Sequence, residues 1–270
     1  MPTTSPLLTW DQTGERLYET GNKKGVLYPY NTTAKKYGNG VAWNGLTAVT
    51  ETPSGAEATD LWADDMKYLS MRSAEQFGGT IEAYMYPDEF AQCDGSAEIA
   101  IGVVIGQQKR SMFGMSYVTT LGNDTELNDF AYKIHLVYGA TASPSQRGYS
   151  TINDSPDAIT FSWEFTTTPV EVAGFKPTAL VTVDSSKVPA EKLALLEAAL
   201  YGTAGGTTYT EFSGTEFVEH TVYYTRSGTE GSYVYTVTTD TTPVSGTTYY
   251  TNGATEAYLP LPAKVAELLT

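Results

Sequence analysis

Tyr132-Lys133-Ile134-His135-Leu136-Val137-Tyr138-Gly139 decides the fold class. Ile134, Leu136 and Tyr138 alternate with Lys133, His135 and Val137, so a strand of period two would carry one apolar and one mixed face. Phe161, Trp163 and Phe165 alternate with Ser162, Glu164 and Thr166 in the same manner. Short apolar or aromatic runs bounded by Gly, Pro, Asn and Asp recur through about the first 200 residues, the pattern of an antiparallel β-sandwich or barrel. They predict strands near 24–30, 41–51, 67–71, 79–86, 97–108, 112–119, 130–138, 158–166 and 178–183. Pro87-Asp88-Glu89-Phe90-Ala91, with proline first and acids in the first turn, predicts a short helix. Pro189 to Tyr201 predicts a longer one, with Leu193, Leu196, Ala199 and Leu200 at helical spacing and Gly202 just beyond. A last helix is expected from Pro262 to Leu269.

Composition agrees with a mainly β chain. Of 270 residues, 41% are hydrophobic and 20 are tyrosine, while charged residues reach only 17%, below the roughly 25% of ordinary globular proteins. Acidic side chains number 31 against 16 basic ones, a net charge of -15. A protein that grips nucleic acid by its phosphates, or an anionic membrane by its headgroups, needs clustered Lys and Arg. That excess is missing here. The single cysteine, Cys93, has no partner for an internal disulfide. Met1-Pro2-Thr3-Thr4-Ser5-Pro6 has no basic stretch followed by an apolar core, so no secretory signal is expected, and no apolar run reaches the roughly 18 residues of a membrane span.

Charge is uneven along the chain. Residues 1–40 hold five cations against three acids, whereas residues 41–109 hold three cations against eleven acids. If copies stack, the basic arm of one could meet an acidic face of the next. From Thr203 to Gly253 there is no lysine and one arginine, Arg226, among abundant Thr, Gly, Tyr and Ser. Gly228-Thr229-Glu230-Gly231 and Ser245-Gly246 read as hairpin turns between strands near 221–225, 233–239 and 247–251. This stretch is expected to form a small β module inserted between two helices.

Catalytic chemistry is poorly supplied. His135 and His220 lie inside strand patterns, and no Gly-x-Ser-x-Gly elbow precedes a helix. Gly102 to Lys109 fails the phosphate-loop spacing because Gly106 is followed by Gln107. His, Cys and carboxylates do not cluster at metal-ligand spacing; Asp64-Asp65 and Asp88-Glu89 read as solvated acidic turns. Neither an enzyme nor a metal or cofactor is expected. A β-sandwich glycosidase would need paired carboxylates, and Glu82 and Glu164, the latter beside Trp163, are the candidates for it.

Several blocks occur together and in one order over about 200 residues. They are Tyr18-Glu19-Thr20-Gly21 with Gly25-Val26-Leu27-Tyr28, Gly40-Val41-Ala42-Trp43-Asn44-Gly45-Leu46, Leu61-Trp62-Ala63-Asp64-Asp65 with Tyr68-Leu69, and Gly79-Thr80-Ile81-Glu82-Ala83-Tyr84 with Pro87-Asp88-Glu89-Phe90. Phe113-Gly114, Tyr132 to Gly139, Asn153-Asp154-Ser155-Pro156, Phe161-Ser162-Trp163-Glu164 and Leu193 to Gly202 complete them. Together they resemble the major tail tube proteins of long, flexible-tailed bacteriophages. The resemblance implies a tail-tube β-sandwich or barrel with a flanking α-helix. It also implies hexameric rings, with the inner strands forming a continuous barrel, stacked into a tube that holds the tape measure protein and later conducts DNA.

On that resemblance, residues 1–202 form the tube domain, with 1–40 as an N-terminal arm or hairpin. Residues 203–256 form a module on the outside of the tube, and 257–270, through Leu259-Pro260-Leu261-Pro262, return to the tube domain. A conduit should not hold DNA, and acidic walls repel phosphate. Glu75, Glu82, Asp88, Asp94 and Glu98 are the candidate lumen-facing acids. Candidate inter-ring contacts are Trp10, Lys23 and Lys24 in the arm and Trp62, Asp64, Asp65 and Tyr68 in a loop. Expected partners are further copies of the chain, the tape measure protein, the tail terminator and distal tail or baseplate proteins. DNA would pass without specific binding, no membrane is involved, and the place is a virion tail assembled in the host cytoplasm. The competing expectation is a secreted carbohydrate-binding or adhesive β-sandwich, with Tyr223, Tyr233, Tyr235 and Tyr249 as possible glycan contacts.

Overall fold

The computed structural model of the chain describes residues 7–152, 157–230 and 232–270. Asn153-Asp154-Ser155-Pro156 and the last residue of the Gly228–Gly231 turn lie outside the described residues. In chain order the first strands are β1 (Tyr18–Asn31), β2 (Lys36–Tyr37), β3 (Val41–Ala42), β4 (Leu46–Glu51), β5 (Ser54–Gly55), β6 (Ala58–Ala63), β7 (Met66–Arg72), β8 (Glu75–Gln76) and β9 (Gly78–Ala83). A 3-10 turn at Asp88–Phe90 leads into α1 (Ala91–Asp94), then β10 (Ala97–Ala100), β11 (Val103–Ile105), β12 (Phe113–Asn123), β13 (Leu127–Ala142), β14 (Phe161–Thr167) and β15 (Leu180–Asp184). The C-terminal part holds α2 (Ala190–Tyr201), β16 (Thr210–Phe212), β17 (Tyr224–Ser227), β18 (Val234–Val237), β19 (Tyr249–Thr251) and α3 (Pro262–Leu269). The chain is mainly β.

One nine-stranded sheet runs β2-β1-β12-β13-β14-β9-β4, with β15 beside β13 and β3 beside β1. Its strand pairs are antiparallel. The sheet folds over itself. Leu27, Met115, Tyr117 and Val137 of β1, β12 and β13 pack with Ile81, Ala83, Trp163 and Phe165 of β9 and β14 in one core, closed by Trp43, Phe90 and Phe113. Val26, Tyr28, Val118, Ile134, Leu136 and Tyr138, on the opposite side of the same strands, pack with Leu193, Leu196 and Leu200 of α2 and Val265 of α3. Each large apolar side chain fully buried in this way contributes about 1.5–3 kcal/mol. Strands β12 and β13 are thus the middle of three layers.

A parity change makes this arrangement work. In β13 the odd position Val137 faces the first core, yet after Gly139 it is the even positions Ala140 and Ala142 that do so. Phe113 pairs with Ala140 and Met115 with Val137, so β13 carries one extra residue, a bulge at which its facing switches. Gly139 sits there at φ 61°, and a Cβ on it would come 2.1 Å from the Thr168 carbonyl oxygen. Its N–H donates to the Tyr37 hydroxyl at 2.8 Å, and its carbonyl accepts from Thr168 N at 2.9 Å.

The C-terminal Leu-Pro segment is pinned into the second core. Tyr138 donates its hydroxyl to the Pro260 carbonyl at 2.8 Å. Leu259 lies where a Cβ on Gly114 would come within 2.2 Å of it. Glycine at 114 therefore makes room for the returning chain.

Several elements differ from the sequence reading. The strand expected over 97–108 is a hairpin, because Gly102 turns the chain at φ 75°. The strand expected over 41–51 breaks at Gly45, also at positive φ. The loop expected around Trp62 is the hairpin β6–β7, whose tip residues Asp64 and Asp65 adopt φ 51° and 61°, the turn that matches strand twist.

Gly139→Ala combines a left-handed residue with a clash against backbone, and is expected to cost about 2 kcal/mol or more in urea unfolding. Gly148→Ala, where nothing lies within 4 Å, serves as control and should stay within about 0.5 kcal/mol of the parent. Equal midpoints for the two variants would remove the bulge from its role in the fold.

Candidate functional site

Inside β14, β9 and β4 the buried positions are Trp163, Phe165, Gly79, Ile81 and Ala83. Strand alternation therefore turns Ser162, Glu164, Thr166, Thr80, Glu82 and Thr50 to the opposite face. Register sets Ser162 against Glu82 and Glu164 against Thr80, so the two glutamates are diagonal neighbours on adjacent strands. Among these residues there is no Lys or Arg. The result is a hydroxyl-lined face with two carboxylates. Trp163, next to Glu164 in sequence, points into the core and donates its indole N–H to Asp94 Oδ1 at 3.2 Å. It is therefore not on the face where a sugar held by Glu82 and Glu164 would need an aromatic platform.

The five acids singled out from the sequence do not share a surface. Glu82 is half-buried on the face just described. Glu75 is exposed in the short β5–β8 ladder. Asp88 and Glu98 line one cleft beneath the β10–β11 hairpin, together with Tyr86 and Arg147. Asp94 departs from expectation. It is buried at 9% exposure, ion-paired to Arg147, and its carbonyl accepts from Arg110 Nη2 at 2.8 Å and Nε at 3.1 Å. Arg147 also lies 5.6 Å from the Tyr86 and Phe161 ring centres. Asp94 thus pins the long β13–β14 connection to α1 and offers solvent no free carboxylate. Burial, with the Asp94 charge beside it, pushes the neighbouring Cys93 thiol up to about 12, which leaves it unreactive at neutral pH.

The contact candidates divide as well. Trp10 and Lys23 are exposed. Lys24, by contrast, is engaged within the chain, 3.7 Å from Glu197 and 5.1 Å above the Tyr201 ring. Arg16 and Lys36 pair with Asp124 and Glu219 at 3.6 and 2.7 Å. Residues 18–31 and 36–37 are β1 and β2 of the nine-stranded sheet, with Leu27 and Tyr28 fully buried, and so are not the arm expected over 1–40. Most of the cations of that stretch are met inside one copy, which weakens the expected attraction to a neighbour's acidic face.

Hairpin β6–β7 is different, because every residue from Ala58 to Arg72 is exposed. Trp62, Met66 and Tyr68 are 68, 66 and 72% exposed. Lys67 reaches back to Asp60 at 2.7 Å and, with Ser70, holds that carboxyl below the usual range. The sequence reading missed a second such element. Hairpin β10–β11 exposes Ile99, Ile101, Val103 and Val104. Its signal was an unbroken apolar run on both sides of Gly102, with no polar alternation to mark a half-buried strand. A two-stranded hairpin is marginal by itself, and contiguous exposed apolar surface marks a contact site.

The C-terminal module is a four-stranded sheet ordered β16-β19-β17-β18. Phe212, Phe217, Tyr223 and Tyr249 pack their rings together beneath it. Tyr223 and Tyr249 are buried, so they fill the module and present no ring to a glycan. On the other side Tyr209 stacks on Tyr235 at 3.8 Å, and Arg226 lies over Tyr233 and Tyr250 at 4.2 and 4.7 Å.

Both histidines are built into the fold. The His135 ring stacks on Tyr117 at 4.7 Å. Its Nε2 lies 2.9 Å from Thr119 Oγ1 and 3.5 Å from Glu19, and its Nδ1 lies 3.5 Å from Glu51. Lys133 holds Glu19 at 2.5 Å, and the Tyr117 hydroxyl donates to Glu51 at 2.6 Å. Burial lowers the His135 pKa and outweighs the pull of both carboxylates. His220, stacked on Tyr258 at 3.7 Å, is lowered by burial too. Among the described residues no three His, Cys, Asp or Glu side chains group to hold a metal ion.

A histidine whose pKa is lower in the folded than in the unfolded chain favours folding above its unfolded value near 6.5, and that advantage is lost as pH falls below it. The melting temperature should therefore drop between pH 7.5 and pH 5.5, and His135→Phe, which keeps the ring stack but cannot titrate, should flatten the drop. An identical pH profile for parent and variant would remove His135 from this effect. No family model matches this chain, and no curated protein matches it.

Proposed function

We propose that the chain is a structural subunit of a phage tail tube, forming hexameric rings that stack into a conduit for DNA. The observation that carries this reading is the pair of hairpins β6–β7 and β10–β11. They hold Trp62, Tyr68, Ile99 and Ile101 away from a fold whose two cores are complete without them. A lone soluble domain gains nothing from such surface and is exposed to aggregation by it, whereas repeated association of identical copies buries it. The face bearing Glu82 and Glu164 supports the same reading. Hydroxyl and carboxylate groups without cations repel phosphate and leave DNA hydrated and sliding, as a wall should. In this arrangement the tape measure protein and then DNA occupy the lumen, terminator and baseplate proteins cap the ends, and the C-terminal module decorates the outside.

Electron microscopy of the purified protein at rising concentration is expected to show hollow tubes of stacked six-fold rings. A chain that stays monomeric and binds polysaccharide would instead support a secreted carbohydrate-binding module. Trp62→Ser with Tyr68→Ser should abolish tubes while moving monomer stability by no more than about 0.5 kcal/mol, because both side chains are exposed. In a particle, Glu82→Gln with Glu164→Gln should leave tubes intact and slow DNA ejection; unchanged ejection would place this face elsewhere than the lumen.

A further inference from the structure

We propose that the apolar tip of hairpin β10–β11 of one copy seats in a cleft of a second copy, where the nine-stranded sheet meets the C-terminal module. This rests on the self-assembly reading above and names one contact between neighbours in a ring. The cleft measures about 460 Å³ and is walled by Tyr30, Tyr37, Val170, Tyr258, Leu259 and Leu261. The wall is stiff. Tyr30 and Tyr37 meet edge to face at 5.2 Å, His220 is stacked on Tyr258, and the Lys36–Glu219 ion pair ties the module to the sheet. A concave, mostly apolar and aromatic site of this size takes an apolar guest.

Two hairpins offer apolar tips, and charge decides between them. The β6–β7 turn carries Asp64 and Asp65, while the cleft already holds Glu171 and Glu219. Of the lining cations Lys36 is already held by Glu219, so the entry of two adjacent carboxylates at the turn would strip both of water against a single remaining lysine, Lys35. The β10–β11 tip, Ile99-Ala100-Ile101-Gly102-Val103, has no charged side chain. Glu98 behind it is turned back to accept from Gly102 N at 2.7 Å, and Lys35 in the cleft lining offers that carboxylate a counter-charge. Ile101 is 100% exposed at the end of the hairpin, a knob for this hole.

Position favours a ring over a stack. The root of the hairpin is tied down by Gln108 N to Gly95 O at 2.8 Å and Ser111 N to Gln92 O at 3.0 Å. The next residue, Met112, lines the cleft, and its carbonyl accepts from Tyr30 N at 3.0 Å. Hairpin and cleft therefore belong to one end of the domain. Copies related by rotation about a single axis hold the same end at the same height, so a head-to-tail contact between these two features fits a closed ring.

A chain carrying Ile101→Cys and Leu261→Cys, assembled and then oxidised, should give a ladder of covalent multimers on a non-reducing denaturing gel, ending at the number of subunits in the ring. Buried Cys93 does not compete. Mixing the two single variants should give dimers only, and neither single variant alone should crosslink. Tubes seen by microscopy without a ladder overturn the contact and leave self-assembly standing, whereas a parent chain that is monomeric at every concentration overturns both. Crosslinking of Ile101→Cys with itself, or a ladder from Trp62→Cys with Leu261→Cys, assigns another occupant and also overturns the proposal. Ile101→Asp, at a fully exposed position, should leave the circular dichroism of the monomer unchanged and raise the concentration needed for assembly about tenfold or more. An unchanged threshold counts against the contact.

Discussion

Strands β12 and β13 are covered on both faces, by the β14-β9-β4 layer on one side and by α2 and α3 on the other. A strand buried twice cannot tolerate a slip of register, because moving by one residue exchanges the contents of both cores at once. The extra residue at Gly139 is part of this constraint. It lets the first half of β13 place His135 and Val137 toward the sandwich while the second half places Ala140 and Ala142 there, beside β14. The same strand can then hand its outer edge from β15 to β14, which is how one continuous sheet folds into two layers.

This architecture was legible wherever one face of an element is wet. Trp163 and Phe165 in β14 showed their period because polar residues stand between them, and Leu193, Leu196 and Leu200 in α2 showed theirs by helical spacing. In β13, buried on both faces, only Lys133 and His135 marked the alternation of Ile134, Leu136 and Tyr138. Legibility failed in two physical situations. Hairpin β10–β11 is apolar on both sides without being buried, so hydrophobicity announced a core strand where the chain makes a protrusion. Asp94 failed for the opposite reason. Its charge suggested solvent, but Arg147, separated from it by 53 residues, meets it inside, and no local pattern reveals a partner that distant. Trp163 and Glu164 illustrate a third limit, since adjacency along a strand means opposite faces.

Charge in this protein is divided by role. The cations Arg16, Lys24, Lys36, Lys133 and Arg147 are each paired with a carboxylate of the same chain. The net charge of -15 is thus carried by acids left over after internal pairing, on surfaces such as the Glu82–Glu164 face. Apolar association through the hairpins and electrostatic repulsion across the rest are compatible, because the first acts at contact and the second is screened within about 8–10 Å at physiological salt. An assembly built in this way would hold together by fit while keeping its remaining surfaces free of one another and of polyanions.

The ends of the C-terminal module meet. Thr203 and Thr255 bond to each other in both directions through their backbones, at 3.1 and 3.2 Å, and again through their hydroxyls at 2.8 Å. A chain that leaves and re-enters at one point can lose, exchange or enlarge what lies between without moving either core. The junction after Gly202 therefore works as a natural splice site, open to grafting of foreign domains at regular spacing along any filament the chain builds.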